Sequence, residues 1–137
     1  MVAGSWLPVG CCTADAWRAK IKPMDAEPAI AQAEVTELPP DLGAAAVLLD
    51  VREVDEWRRG HAAEAQHIPM GEVPNRIEEI DPAATLYVIC RAGGRSARVA
   101  RYLSRNGYAP VNVSGGMLAW AAAGRPVVTD DGGPGSL

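Results

Sequence analysis

Cys90 ends the apolar run Leu86-Tyr87-Val88-Ile89 and is followed at once by Arg91-Ala92-Gly93-Gly94-Arg95-Ser96. A cysteine leaving a buried strand for a turn with two consecutive glycines is placed to act as a nucleophile. Glycine takes up positive φ without a Cβ penalty, so the chain can curl there and aim several N–H groups at one centre. A helix opening at Ser96 adds the positive end of its dipole, and the surroundings favour an anion at the sulfur. The reactive species is the thiolate, which a helix N-terminus and nearby arginines make easier to form; Arg91 and Arg95 bring that charge. A lone cysteine at a strand end is also commonly a small buried hydrophobe. Here the strand, the glycine pair and the two arginines agree on chemistry.

Such a site needs a sheet to present it, because ligands of open α/β sheets collect beyond the carboxyl ends of the strands. From Ala31, residues Ala33, Val35 and Leu38 alternate with polar ones as in a short strand that Pro39 and Pro40 end. Ala44 to Val51 is a continuous apolar run interrupted by Asp50, of the kind buried on both faces of a sheet. Glu53 to Arg59 suits a short helix stopping at Gly60, His67-Ile68-Pro69 a second short strand, and Gly71 to Ile80 an amphipathic helix with Val73, Ile77 and Ile80 on one face. After Cys90 a helix runs to Asn106-Gly107, Val111-Asn112-Val113 forms a strand, and Gly115-Gly116 opens a last helix through Trp120. Strands alternating with helices predict an α/β fold: a mainly parallel open sheet flanked by helices on both faces. Residues 1–30, broken by Gly, Pro and Lys, read as a flexible or loosely docked extension, 31–128 as the domain, and 129–137 as a disordered tail.

The chain of 137 residues suffices for one domain, and its 48% hydrophobic content includes no phenylalanine, so the core rests on Val, Leu, Ile and Trp. A formal net charge of −4 argues against a nucleic-acid binder. That total hides a division: no acidic residue lies between Asp81 and Asp130, an interval holding Arg91, Arg95, Arg98, Arg101, Arg105 and Arg125. Arg98, Arg101 and Arg105 recur at helical spacing and read as a solvated face that could steer small anions or meet an acidic partner. Three cysteines, Cys11, Cys12 and Cys90, make no disulfide framework, so a reducing cytoplasm is expected. Cys11 and Cys12 read as incidental, with a resolving-thiol role as the alternative. No run has the length of a membrane span. His61 and His67 with one distant cysteine do not form a metal site; both histidines are read as structural, and Trp57, Trp120 and Met117 as core.

Several segments together resemble the successive motifs of the rhodanese homology domain. They are Asp50-Val51-Arg52, Glu56-Trp57, Gly60-His61, His67-Ile68-Pro69, Cys90 through Ser96, and Gly115-Gly116-Met117 with Trp120, in the family's order over Ala31 to Val128. The resemblance implies a single-domain thiosulfate sulfurtransferase. Cys90 would take sulfane sulfur from thiosulfate or a similar donor, hold it as a persulfide within Arg91, Ala92, Gly93, Gly94, Arg95 and Ser96, and pass it to cyanide or a thiol. The partners implied are small sulfur-containing anions, thiol acceptors and a protein acceptor of sulfur, with no nucleic acid, membrane, metal or organic cofactor. It also makes Asp50 and Arg52 supports of the loop; from the residues alone they read as a buried ion pair or hydrogen-bonded turn. Two other readings remain: a non-catalytic binding module of the same fold, and a cysteine phosphatase or arsenate reductase. The phosphatases hold five residues between Cys and Arg, whereas Arg95 follows Cys90 after four.

Overall fold

A computed structural model describes residues 29–40, 42 and 46–137. Among these residues five strands form one sheet: β1 (Ala31–Glu34), β2 (Val47–Asp50), β3 (Gln66–His67), β4 (Leu86–Ile89) and β5 (Pro110–Ser114). Their order is β1-β5-β4-β2-β3 and every pairing is parallel. Among the described residues three α-helices, α1 (Val54–Arg59), α2 (Gly94–Arg105) and α3 (Gly116–Ala122), complete the α/β architecture expected from the alternating pattern.

The unbroken apolar runs have their reason in this order. β2 and β4 are paired on both sides, and their successive side chains point to opposite faces, so both faces need apolar residues. Leu49, Leu86 and Val88 meet Val99, Ala100 and Leu103 of α2, with Val73 and Ile80 beside them. Leu48, Ile89 and Val113 meet Met117 and Trp120 of α3, with Val35 and Leu38. Cys90 falls on the α2 face. Each such aliphatic side chain contributes about 1.5–3 kcal/mol on burial, and these two clusters fix the sheet on which the Cys90 loop stands.

Three segments depart from the sequence pattern. The strand at Ala31 ends at Glu34, and Val35–Glu37 is a 3-10 turn. Val35 and Leu38, three apart, are both buried, which one 3-10 turn achieves, and the Glu37 carboxylate accepts from the Glu34 N–H at 2.8 Å. The segment read as an amphipathic helix from Gly71 to Ile80 is two 3-10 helices, Met70–Glu72 and Pro74–Glu79. Pro74 has no N–H to close an α-helical bond, and Arg76 bends the chain (φ −123°) while bonding Glu72 and Glu79. Val73 and Ile80 still reach the core.

The third departure is the glycine-rich end. Residues 129–137 form a turn that returns to α1: Val128 and His61 exchange two backbone bonds of 2.8 Å, Gly135 N–H donates to Val127 O and Ser136 N–H to Arg59 O. Composition hides this, because backbone groups rather than large side chains hold the segment. The extension over residues 1–30, with Cys11 and Cys12, lies outside the described residues except for 29–30.

Candidate active site

The turn after β4 folds around its own sulfur. Cys90 is 1% exposed, and its Sγ accepts from the Gly93 N–H at 3.1 Å and from the Ser96 hydroxyl at 3.3 Å. The amides can face inward because the carbonyls are held outward. The first amides of α3 take them, Met117 N–H on Cys90 O at 2.8 Å and Leu118 N–H on Arg91 O at 3.0 Å. Gly93 stands at φ 113°, where a side chain would be strained. At Gly116 a Cβ would run into the carbonyl groups of Cys90 and Arg91. Of the two consecutive loop glycines only Gly93 uses the left-handed region; Gly94 is the first residue of α2.

Burial pushes the Cys90 thiol up. The Ser96 hydroxyl and the amides of Ser96, Gly93 and Ala92 outweigh it and leave the thiol below its ordinary value. The two arginines, expected to supply charge, stand differently: Arg95 and the Cys90 sulfur attract each other, though less than Arg95 and Glu56 do. Arg91 is exposed. Arg95 is turned to α1, where its guanidinium grips both Glu56 oxygens at 2.7 and 3.0 Å. The Arg95 contact, against the opposing cost of burial, holds the Glu56 carboxyl down at about 2. Glu56 belonged to a recognised motif, but neither charge nor spacing announced that it would meet a residue 39 positions away.

Asp50 and Arg52 are 0% and 1% exposed. Arg52 Nε and Nη2 donate to the Asp50 carboxylate at 2.9–3.1 Å, and Nη2 reaches Gly60 O at 2.7 Å. A further bond from Nη1 meets Glu56 O at 3.4 Å. The buried pair therefore fastens α1 to the end of β2, and α1 presents Glu56 to Arg95. Both histidines are occupied structurally: His61 Nδ1 donates to Trp57 O at 2.9 Å and His67 Nε2 to Arg52 O at 2.8 Å. Trp57 is only half-buried and belongs to neither core cluster. It stacks on His61 at 3.5 Å and on His67 at 4.5 Å, and its indole N–H bonds Asp130. Trp120 and Met117 are core residues.

One polar group near the sulfur escaped the sequence reading. Asn112, buried in β5, accepts from the Ser96 hydroxyl at 2.6 Å and donates through Nδ2 to Gln32 Oε1 of β1 at 2.9 Å. Only its polarity within an apolar strand could have marked it. Beyond the carboxyl ends of β1 and β5 lies a hollow of about 300 Å³, lined by Glu34, Thr36, Ser114, Gly115 and Ala119 among others. Among the described residues no group of three or more His, Cys, Asp and Glu is placed to hold a metal ion, and no helix is long and apolar enough to cross a membrane.

Comparison with known proteins bears on this arrangement. The model of the rhodanese-like domain matches residues 32–123. A sulfurtransferase of Allochromatium vinosum is 37% identical over 87 residues, which are 63% of this chain and 81% of that protein. The Bacillus subtilis protein YtwF is 43% identical over 79 residues, 58% of this chain and 77% of its own. The crystal structure of a rhodanese-related protein from Thermoplasma volcanium superposes with a TM-score of 0.68 at 32% identity, over 73% of this chain and 99% of that one.

Proposed function

The chain belongs to the family of rhodanese-like domains, and from that premise we propose that it is a sulfurtransferase carrying sulfane sulfur as a persulfide on Cys90. The observation that carries this reading is the convergence of the Gly93 amide and the Ser96 hydroxyl on one buried sulfur. With thiosulfate as donor, the Cys90 thiolate attacks the sulfane sulfur. A bond forms between the two sulfurs, the sulfur–sulfur bond of thiosulfate breaks, and sulfite leaves with the electron pair. The negative charge then rests on the outer sulfur, where fixed N–H dipoles stabilise it without reorganising. A thiolate or cyanide attacks that outer sulfur next, takes it as a persulfide or thiocyanate, and returns the Cys90 thiolate.

Asp50 and Arg52 serve this chemistry as braces, and Arg91, Ala92, Gly94 and Arg95 as the frame of the loop. Arg95 Nη1 and Nη2 are engaged by Glu56, which counts against the phosphatase reading. A carrier that depends on a free thiol belongs in a reducing compartment such as the cytoplasm.

Intact-protein mass after incubation with thiosulfate tests the proposal. The wild type should gain one sulfur atom and lose it to cyanide as thiocyanate, while Cys90→Ser gains nothing. No gain in the wild type with thiosulfate or with any persulfide donor would refute sulfur transfer and favour a binding module.

A further inference from the structure

The Ser96 hydroxyl has one proton and two acceptors. Its Oγ stands 2.6 Å from Asn112 Oδ1 and 3.3 Å from Cys90 Sγ, and Ser96 is fully buried. The Asn112 amide is itself oriented, since Nδ2 faces Gln32 Oε1 at 2.9 Å and Gly93 O at 3.4 Å, both acceptors. Turning the amide over would set its oxygen against those oxygens, so Oδ1 stays toward Ser96. A chain of polar groups thus runs from β1 through β5 and α2 to the sulfur.

We propose that Asn112 is a positioning residue that holds the Ser96 proton in competition with the sulfur, and so distinguishes a free Cys90 thiolate from a loaded persulfide. The inference rests on Cys90 being the sulfur carrier. In the thiol form Cys90 S–H donates to Ser96 Oγ, and Ser96 O–H donates to Asn112 Oδ1; every group has a partner. Ionisation at Sγ draws the hydroxyl proton to the sulfur and strands Oδ1, a buried acceptor, without a donor. Loading moves the negative charge one bond outward to the second sulfur. Sγ is then uncharged, and the proton returns to Asn112. The free thiolate is therefore the one state that breaks the chain, and Asn112 disfavours it against both the thiol and the persulfide.

The other charged groups about Cys90 stay fixed through this exchange. They are Arg91 in the loop, Arg95 bound to Glu56 with Glu53 beside them, and Asp50 closed by Arg52 at the end of β2. Neither β5 nor α3 carries a titratable side chain.

The test is the pH profile of iodoacetamide alkylation, which reads thiol ionisation whether or not sulfur is transferred. Asn112→Leu should move the midpoint down by about one pH unit, a tenfold change in the thiolate-to-thiol ratio. Gln32→Leu, at an exposed position, should shift it the same way by less, which keeps the test alive if the core substitution does not fold. In a Ser96→Ala background Asn112→Leu should shift nothing, because its effect passes through the hydroxyl. Loaded Asn112→Leu should also be unloaded by sulfite at a roughly tenfold lower concentration than wild type, the same differential stabilisation acting on the leaving thiolate. An unmoved midpoint in both single variants, or an undiminished shift in the Ser96→Ala background, overturns the proposal. Failure of the wild type to load at all instead overturns sulfur transfer and leaves the alkylation result standing.

Discussion

Replacing Glu56 by Gln tests whether the junction between α1 and α2 is a working part of the site or an ordinary surface pair. The carboxyl is depressed from 4.5 to about 2, chiefly by its bond to Arg95. For a group whose folded pKa lies below its unfolded one, the stabilisation is complete above the unfolded value and lost as pH falls through the folded one. That difference corresponds to about 3 kcal/mol at pH 7 and about 1.4 kcal/mol at pH 3. Arg95 retains 32% of its side-chain exposure, against 15% for Glu56, so solvent screening reduces the expected loss to about 2 kcal/mol at pH 7. The assay is urea unfolding of wild type and Glu56→Gln from pH 7 down to pH 3. The gap between the two should narrow by half or more on acidification. A loss below about 0.5 kcal/mol at pH 7, or one that does not change with pH, would class the contact with ordinary exposed ion pairs and refute the reasoning.

Ser96→Ala removes a hydrogen bond that favours the thiolate, so the midpoint of Cys90 alkylation should rise; a midpoint that stays put would assign the lowered thiol to the amides alone. Asp50→Asn leaves the Arg52 guanidinium buried with its counter-charge gone. The expected cost is about 3–5 kcal/mol, read from the denaturant midpoint, and a cost under about 1 kcal/mol would deny the pair its bracing role. Gly116→Ala forces a side chain into the carbonyl groups of Cys90 and Arg91 at φ 56°. It should abolish sulfur loading measured by mass while circular dichroism still reports a folded sheet; full loading would show that the loop does not depend on the start of α3.

What the sequence made legible is what repeats locally. Leu86 through Ile89 reads as a strand because its apolar residues are contiguous, the glycines after Cys90 read as a turn because of their freedom at positive φ, and those before Met117 read as the opening of a helix. Contacts made across the fold left no such trace. Arg95 was legible as a loop arginine but not as the partner of Glu56, since the pairing depends on how α1 is fastened by Arg52. Asn112 was legible as a strand residue, and its side chain gained meaning only when β5 lay beside β1 and the Ser96 hydroxyl. At Gly71 to Ile80 the spacing of Val73, Ile77 and Ile80 was right for burial and wrong for geometry, because Pro74 imposes a tighter helix that buries the same ends. Trp57 read as core because indoles usually are, yet two histidine rings took it instead.

The sheet has two short edges. β3 is two residues long, and β1 gives way to a 3-10 turn after Glu34. An exposed edge ordinarily offers a row of unpaired N–H and C=O groups on which a foreign strand can grow; among the described residues the two edges offer four residues and two. Among the described residues, strand addition by a second chain finds little edge to extend. What the described residues offer a second protein is therefore chiefly the side chains of helices and loops, where a substitution alters the surface without disturbing the sheet.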